Sequence, residues 1–412
     1  MTCTVAAPVN PVKATVILPA SKSISNRALI IRALSGEAFP IENLSTAADT
    51  QKLIELLSSV SGEYNCGEGG TTLRFTTAYL AVRGGDVVIT AAPSLRARPF
   101  SELASALTAL GASITYLEQD GRLPVRMVSS GLVSNSEIEV PGNVSSQFIS
   151  ALMLIGPYIK NGITIRITGE TLSLPYIMMT ANVMKVFGVT PKTEGAVIAI
   201  PQGKYSAARY TVEPDWSAAS YWFEIAALSK GSNITLSGLS LHSIQGDAAV
   251  AKMMSHLGVT TIENHEGLVL SSGAETNYPD KITEDHTGCP DVAPAMICAS
   301  AGLNRTADFP GLKNFRLKES DRAAVFQREL YNFNVHTDFC GGSKFKVYAG
   351  AGIRPSSRII KTYHDHRVAM ALAPLSLVAG PVIIENPEVV SKSYPHYYDD
   401  LVKAGFKVTF EK

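Results

Sequence analysis

Apolar side chains recur at the spacing of one helical face, and each such stretch stops at a glycine or an asparagine. Leu103, Leu107 and Leu110, for example, precede Gly111 at intervals of three or four residues. The stops along the chain are Gly111, Gly188, Gly258, Asn334 and Gly405. Both residue types favour the left-handed conformation that ends helices. The pattern therefore predicts a helix before each stop.

Short alternating segments follow each stop and surround a second turn. Residues 114–116 and 123–125 flank a turn at Asp120-Gly121, and similar turns are predicted at Glu194-Gly195, Glu266-Gly267 and Gly341-Gly342. Two short strands about a glycine are typical of a β-hairpin. The stops lie about 70–77 residues apart, which is too long for a solenoid repeat and fits a duplicated βαβαββ unit. A shorter, degenerate copy is predicted at residues 53–65.

The last copy ends in the strand-like segment 406–410 and lacks a second hairpin strand. The N-terminal run Val12, Ala14, Val16, Leu18 alternates like a strand. We expect this run to supply the missing strand, which would join both termini in one domain. The predicted domains are residues 1–19 with 216–412, and residues 20–215.

Composition narrows the function classes. The 412 residues include 36 Lys plus Arg and 36 Asp plus Glu, so the formal net charge is zero. A chain with no net charge does not attract nucleic acids or anionic membranes as a whole, so a general nucleic-acid binder or a membrane-surface protein is disfavoured. Charged residues make up 17%, against roughly 25% in average domains. The low charge content makes each cluster of cations informative.

Cysteine usage and the apolar segments indicate where the chain works. Five cysteines without a Cys-x-x-Cys pair are typical of free thiols in a reducing compartment. We see no signal peptide and no leader rich in Arg and Ser. The longest apolar stretch, residues 368–384, is interrupted by Pro374 and Pro381 and is shorter than the roughly 20 residues that a bilayer requires. These features predict a soluble, cytoplasmic protein.

Five segments place cations beside small polar residues, namely 21–27, 96–99, 318–322, 365–367 and 391–393. Each alone is typical of a solvated surface, and Ser21, Ser23 or Asp365 could simply cap a helix. Five such clusters at element boundaries favour phosphate binding. His364 and His366 alone do not predict a metal site.

Two further segments have both a functional and a structural interpretation. Residues 67–72 are rich in glycine but match neither the Walker A nor the GxGxxG pattern. Their backbone could approach an anion or form a flexible turn. Residues 142–147 precede an apolar helix, and Ser145 is either an ordinary N-cap or part of a phosphate site.

These segments resemble, in the same order along nearly the whole chain, the motifs of the EPSP synthase (3-phosphoshikimate 1-carboxyvinyltransferase) family. The matching motifs lie at residues 21–29, 96–99, 142–148, 317–322, 365–371 and 391–395. The resemblance implies an α/β fold, a two-domain inside-out α/β barrel in which each domain is built from three βαβαββ units. It also implies a monomer with its active site in the interdomain cleft.

The resemblance implies a reaction as well. The family transfers the enolpyruvyl group of phosphoenolpyruvate to the 5-hydroxyl of shikimate 3-phosphate and releases phosphate. That chemistry requires no cofactor and no metal. The implied partners are these two small molecules, without nucleic acid or membrane.

The implied roles fall on named residues of this chain. The catalytic residues are Asp291 as the base, with Glu319 or Lys22 as the general acid. Those implied to bind phosphoenolpyruvate are Lys22, Gly70, Arg98, Gln147, Arg322, His366, Arg367 and Lys392. Those implied to bind shikimate 3-phosphate are Lys22, Ser23, Arg27, Ser145, Ser146, Gln147, Ser173, Tyr176, Asp291, Asn314 and Lys318.

Two alternatives stay open. The sister family of UDP-N-acetylglucosamine enolpyruvyl transferases shares the fold and the donor, but its loop before the ARP motif typically carries a reactive Cys, which residues 91–99 lack. A catalytically inactive anion-binding scaffold is the other. Departures from the family pattern are Glu68 in place of a frequent Asn, Phe75 after Arg74, and Leu174 after Ser173.

Overall fold

The computed structural model describes residues 1–133, 137–143, 145–273 and 278–411. The chain divides into two compact units. The discontinuous unit consists of Met1–Pro19 and Pro214–Lys412, and the continuous unit consists of Ala20–Glu213.

The elements follow one another in regular alternation. The discontinuous unit begins with β1 (Thr2–Ala6) and β2 (Lys13–Val16). The continuous unit contains α1 (Lys22–Ser35), β3 (Ile41–Glu42), α2 (Ala48–Ser58), β4 (Glu63–Asn65), α3 (Gly70–Arg83), β5 (Gly85–Thr90), α4 (Pro93–Arg96), α5 (Ser101–Ala109), β6 (Ser113–Tyr116), β7 (Val125–Ser129), β8 (Glu137–Pro141), α6 (Ser146–Ile155), β9 (Ile163–Thr168), α7 (Leu174–Val186), β10 (Lys192–Glu194), β11 (Val197–Ile200) and β12 (Tyr210–Thr211).

The discontinuous unit continues with α8 (Trp216–Leu228), β13 (Asn233–Ser237), α9 (Val250–Ser255), β14 (Val259–Asn264), β15 (Gly267–Ser272), β16 (Ile282–Thr283), α10 (Ala293–Gly302), β17 (Ala307–Phe309), α11 (Arg322–Tyr331), β18 (His336–Cys340), β19 (Lys344–Tyr348), β20 (Ile359–Ile360), α12 (His366–Leu372), α13 (Ser376–Ala379), β21 (Val382–Glu385), α14 (Tyr397–Lys403) and β22 (Lys407–Glu411). Short 3₁₀ helices occupy Gly156–Tyr158, Gly246–Ala249, Phe315–Leu317, Ala373–Leu375 and Pro387–Lys392.

Five sheets of the described chain share one arrangement, a parallel pair of strands extended by two further antiparallel strands. Their strand orders are β4-β5-β7-β6, β8-β9-β11-β10, β2-β13-β15-β14, β16-β17-β19-β18 and β20-β21-β1-β22. In the first, β4 runs parallel to β5, and β7 is antiparallel to both β5 and β6. The predicted βαβαββ repeat is therefore confirmed.

The helix stops are also confirmed, because the predicted residues lie in the left-handed region. Their φ values are 106° at Gly111, 88° at Gly188, 84° at Gly258, 65° at Asn334 and 94° at Gly405. Without a Cβ, glycine adopts this conformation at no steric cost. Gly111, Gly188, Gly258 and Asn334 direct the chain from the helix into a hairpin, and Gly405 directs it into the last strand, β22.

One strand prediction was wrong. The segment that completes the last sheet is β1, whose Thr4 lies opposite Thr409 of β22 and Ile383 of β21. The alternating run at 12–18 does form a strand, β2, but it runs parallel to β13 in another sheet. Alternation identifies a strand and one buried face, whereas the partner depends on where the chain places it. Both segments belong to the discontinuous unit, so both termini do too.

The degenerate copy also differs from its prediction. Residues 53–65 include the end of α2, but β4 joins the following sheet through β5. The short copy instead has the two-stranded sheet in which β3 pairs with β12. It has no hairpin among the described residues.

The helices form the interior of each unit, and the sheets lie outside them. In the discontinuous unit α8, α10 and α12 contact one another, and every residue of α8 except Ser217 is buried. In the continuous unit α1, α3, α6 and α7 pack together. Among the described helices, none combines the length and apolarity needed to cross a membrane.

Candidate active site

The discontinuous unit gathers charged residues at the amino-terminal ends of its helices. Asp291 precedes α10, Arg322 is the first residue of α11, and Arg367 is the second residue of α12. Asp365 caps α12 by accepting the Arg367 N–H at 3.0 Å, which is one of the two interpretations that the sequence left open. Helix amino termini carry a partial positive charge and unsatisfied N–H groups. The local sequence thus places two arginines and one carboxylate at helix starts, where anions bind well.

The Arg322 guanidinium bridges three carboxylates. Its Nε donates to Asp365 Oδ2 at 2.8 Å, its Nη1 to Asp291 Oδ1 at 3.3 Å, and its Nη2 to Glu319 Oε2 at 2.6 Å. The side chains of Arg322 and Asp365 are 1% and 0% exposed. Burial alone would lower the pKa of Arg322, but the three carboxylates raise it above its ordinary value. Arg322 is a fixed cation that sets the positions of Asp291 and Glu319.

Asp291 lies among three cations. Arg367 Nη2 donates to its Oδ2 at 2.9 Å, and Lys318 Nζ lies 3.4 Å from its Oδ1. Burial would raise the pKa of Asp291, but Arg367, Lys318 and Arg322 outweigh burial and hold it well below its ordinary value. Asp291 is therefore an ionised proton acceptor with cations at hand to balance its charge.

The other predicted residues of this unit lie on neighbouring segments. His366 is the first residue of α12 and is buried. Lys392 donates to the His364 carbonyl at 2.6 Å. Asn314 is buried, and its Oδ1 has no hydrogen-bond partner among the described residues. Such an oxygen is suited to a ligand hydroxyl.

The sequence did not indicate two residues of this cluster, Ser217 and Asp247. Ser217 Oγ accepts from Arg367 Nη2 at 3.4 Å and donates to Asp247. Asp247 is buried in the 3₁₀ helix Gly246–Ala249. Its sequence context carries no signal, because one acidic residue near a helix start is typical of ordinary helices.

In the continuous unit, a second cluster forms where α3 and α6 begin. Arg74 Nη1 donates to the Gly70 carbonyl at 2.9 Å and to Gln147 Oε1 at 3.1 Å. A Cβ at Gly70 would lie 2.6 Å from Arg74 Nη1 and 3.0 Å from Arg98 Nη1. Because glycine has no Cβ, both guanidinium groups can lie close to the backbone at Gly70. Arg74 was singled out in the sequence only as part of a departure from the family pattern.

Lys22 begins α1 and forms an ion pair with Asp49, 2.9 Å away. Ser21, not Ser23, caps this helix, because its Oγ accepts the Ile24 N–H at 3.5 Å. Asp49 lies in the first turn of α2. The sequence contains no motif that links Asp49 to Lys22, because their 27-residue separation is spanned only in the fold.

Arg27 is held by polar groups of three helices. Its Nε donates to Thr180 Oγ1 at 2.7 Å, and its Nη2 donates to Ser150 Oγ at 3.1 Å and to the Tyr176 carbonyl at 3.2 Å. Its Nη1 donates to the Ser23 carbonyl at 2.8 Å. Burial lowers the pKa of Arg27 to about 10. The guanidinium still carries its charge at neutral pH, in a fixed orientation.

The remaining predicted residues lie at the starts of α6 and α7. Ser145 caps α6 by accepting the Gln147 N–H at 3.3 Å, and Ser146 is its first residue. Ser173 precedes α7 with a φ of 58°. Of the departures, Glu68 and Leu174 are both exposed.

The two clusters can carry out complementary chemistry. The discontinuous unit joins Asp291, Lys318, Glu319, Arg322 and Arg367 in one network, and the continuous unit brings Gly70, Arg98 and Gln147 together. Fixed cations at helix starts bind phosphates and carboxylates. Carboxylates held among them can transfer protons. No cluster of three or more metal-ligating side chains occurs in the part of the chain that the structure describes.

Comparison with known proteins gives one consistent result. A family model described as EPSP synthase (3-phosphoshikimate 1-carboxyvinyltransferase) matches residues 6–64 and 61–401. A 3-phosphoshikimate 1-carboxyvinyltransferase of Bacteroides fragilis strain YCH46 is 42% identical over 399 residues, 96% of each chain. One of Citrobacter koseri is 31% identical over an alignment of 425 residues, covering 96% of this chain and 97% of the relative. A solved EPSP synthase structure from Acinetobacter baumannii has a TM-score of 0.79 and 21% identity over the whole of both chains, which shows likeness of fold.

Proposed function

This chain belongs to the EPSP synthase family, and we propose that it transfers the enolpyruvyl group of phosphoenolpyruvate to the 5-hydroxyl of shikimate 3-phosphate. The products are 5-enolpyruvylshikimate 3-phosphate and inorganic phosphate. The observation that carries the proposal is the network in which Arg322, Arg367 and Lys318 surround Asp291. It combines a proton acceptor with cations for anionic substrates.

The cations solve an electrostatic problem. Both substrates carry a phosphate, and phosphoenolpyruvate also carries a carboxylate, so they repel each other. Charge-assisted hydrogen bonds from fixed guanidinium groups contribute about 1.5–3 kcal/mol each. Arg98, Arg322, Arg367, Lys392 and Lys22 bind phosphoenolpyruvate, with Gly70, Gln147 and His366 beside it. Ser23, Arg27, Ser145, Ser146, Gln147, Ser173, Tyr176, Asn314 and Lys318 bind shikimate 3-phosphate, together with Lys22 and Asp291.

Asp291 is the base for the first step. In the structure its charge is balanced by Arg367, Lys318 and Arg322. When Arg367 and Lys318 turn towards substrate anions, they withdraw from Asp291, and the pKa of its carboxyl rises towards the range of a useful base. Asp291 then takes the proton of the 5-hydroxyl.

The reaction proceeds by addition and elimination. The 5-oxygen forms a bond to C2 of phosphoenolpyruvate while a general acid, Glu319 or Lys22, protonates the methylene carbon. The product is a tetrahedral phosphate adduct. The conjugate base of that general acid then takes a proton from the methyl group, which restores the double bond as the C2–oxygen bond breaks and phosphate leaves. Positioned proton transfer contributes about 10²–10⁴-fold to each such step.

Phosphate release tests the proposal. The purified protein is incubated with phosphoenolpyruvate and either shikimate 3-phosphate or UDP-N-acetylglucosamine. Release with shikimate 3-phosphate alone supports the proposed activity, and release with only the nucleotide sugar assigns the chain to the sister reaction. If folded protein releases no phosphate with either acceptor, the inactive scaffold is favoured. Asp291→Ala is expected to abolish turnover while shikimate 3-phosphate still binds by calorimetry.

The family resemblance also implies a monomeric, cytoplasmic enzyme. Light scattering of the purified chain tests the first of these, with a mass near 43.9 kDa expected.

A further inference from the structure

Behind Arg367 and Asp291 lies a polar chain that the proposed reaction does not use. Arg367 Nη2 donates both to Asp291 Oδ2, at 2.9 Å, and to Ser217 Oγ, at 3.4 Å. Ser217 in turn donates its hydroxyl proton to the Asp247 carboxylate. In the order Asp247–Ser217–Arg367–Asp291, the guanidinium only donates, the two carboxylates only accept, and the Ser217 hydroxyl does both.

Asp247 lies where a solvated polar residue is not expected. Asp247 is 3% exposed, and burying a carboxylate is unfavourable unless it is hydrogen-bonded and faces a cation. Ser217 is the one residue of α8 that is not buried, and its hydroxyl supplies that hydrogen bond. Arg367 supplies the nearby positive charge.

We propose that Asp247, acting through the Ser217 hydroxyl, is a positioning residue that holds the Arg367 guanidinium in register with Asp291. This inference rests on the proposed function, in which Arg367 binds phosphoenolpyruvate and Asp291 takes the hydroxyl proton. When Arg367 turns towards substrate, Ser217 and Asp247 retain one of its nitrogens. Its reach and orientation are thereby limited, as with partners behind the ligands of a metal site.

The charges around Asp247 make this role depend on pH. Burial, Asp291 and Asp215 raise the pKa of Asp247 to about 6, against the lowering effects of the Ser217 hydrogen bond and of Arg367. Cys289 also lies within its electrostatic reach. The α9 side chains Val250, Met253 and Met254 are buried and uncharged, and Lys252 is exposed. Near neutral pH Asp247 is ionised and attracts Arg367, whereas protonation removes that attraction.

The first experiment interrupts the row of hydrogen bonds at Ser217. Ser217→Ala removes the link and leaves Asp247 and Arg367 in place, so kcat/KM for phosphoenolpyruvate is expected to fall about tenfold. Ser217→Thr keeps the hydroxyl and is expected to stay within about twofold of wild type. Ser220→Ala is the matched control, because that hydroxyl donates only to the Ser217 carbonyl on the same helix. Equal activity of Ser217→Ala and Ser220→Ala would overturn the proposal.

The second experiment separates positioning from general structural damage. The ratio of kcat/KM of Asp247→Asn to that of wild type is measured from pH 8 to pH 5, so that substrate ionisation cancels. We expect the ratio to rise towards one at low pH, because wild type then loses the same charge. A ratio that is below one and constant with pH means that Asp247 is structural, which contradicts the proposal.

A third measurement needs no turnover. Carboxyl-carbon NMR follows Asp247 in the protein without substrates, with Asp247→Asn identifying the signal. Ser217→Ala is expected to raise its titration midpoint, because a hydrogen bond that favours the ionised form is lost. An unmoved midpoint would refute the coupling. If wild type released no phosphate, the proposed function would fail, and this titration would still decide whether the chain of groups operates.

Discussion

Arg322 uses three different nitrogens for three carboxylates, Asp291, Glu319 and Asp365. Only a planar guanidinium offers donors in this fixed fork, since a lysine ammonium is a compact point charge. Asp365 is fully buried, and Arg322 Nε lies 2.8 Å from its Oδ2. The same side chain thereby stabilises the start of α12 and orients the proposed base.

We expect Arg322→Lys to lower kcat/KM by about 10²-fold, because two of the three carboxylates lose their donor. The free energy of unfolding is expected to fall by about 1–3 kcal/mol. Steady-state kinetics and urea denaturation measure the two effects. Arg328→Lys is the matched control on the same helix, where the exposed guanidinium donates to Tyr363. If both variants matched wild type in activity, Arg322 would not orient the site.

Glu224 is a second buried acidic residue, with a different environment. It lies in α8, and neither of its carboxylate oxygens has a hydrogen-bond partner among the described residues. Burial raises its pKa well above the ordinary value. The native state therefore holds a proton on Glu224 that the unfolded chain releases at lower pH.

This predicts an alkaline loss of stability that Glu224→Gln abolishes. Between the unfolded and native pKa values the native state binds more protons, so the free energy of unfolding falls as pH rises. Above the unfolded value of about 4.3, Glu224→Gln gains up to about 1.4 kcal/mol per pH unit over wild type. Urea denaturation from pH 5 to pH 8 measures the difference. Glu266→Gln, at an exposed turn of the same unit, is the control, and a pH-independent difference would exclude a buried proton.

At the scale of elements, β1 closes the sheet that the C-terminal helix and strand leave incomplete. It lies between β21 and β22 and is antiparallel to both. Cys3 and Val5 point to the buried face. The last repeat thus depends on the first residues of the chain, more than 370 residues away in sequence.

Val5→Asp is expected to destabilise the discontinuous unit by about 4 kcal/mol, because it places a carboxylate in the core between two paired strands. Val9→Asp makes the same change at a fully exposed position and is expected to cost less than about 0.5 kcal/mol. Urea denaturation compares the two. Limited proteolysis should cut Val5→Asp near β22 first. Equal stability of the two variants would contradict a central position of β1.

On the scale of the whole molecule, each unit has a backbone hydrogen bond that joins the two points where the chain enters and leaves it. In the continuous unit the Ser21 N–H donates to the Glu213 carbonyl at 2.8 Å, and in the discontinuous unit the Asp215 N–H donates to the Pro19 carbonyl at 2.9 Å. Each unit also has its own buried helices and its own sheets. Domains with separate cores are able to fold alone.

We therefore expect residues 20–213 to fold as an isolated chain, with one cooperative urea transition followed by circular dichroism. Residues 1–19 joined to 214–412 through a short glycine linker are expected to do the same, because Pro19 and Asp215 are already in contact. Neither product should release phosphate, since the residues assigned to the substrates are divided between them. Leu152→Asp, at a fully buried position of α6, gives an unfolded control for the first product. A non-cooperative transition of residues 20–213 would show that the unit is not independent.

The sequence by itself determined the local features of this protein. The helix stops at Gly111 and Asn334 and the cap at Asp365 depend on interactions within a few residues, so residue type and spacing suffice to locate them. The repeat period follows from those stops. The motifs that carry the family resemblance are equally local, which is why they placed the chain in its family before any contact was known.

Only the tertiary structure decided which distant residues meet. Alternation located β2 but not its sheet, and nothing near Thr4 in sequence indicated that β1 would fill the last one. Lys22 and Asp49 are 27 residues apart, and Arg367 and Ser217 are 150 apart. Such pairings depend on how helices pack, and the burial that makes Asp247 and Glu224 unusual exists only once the core has formed around them.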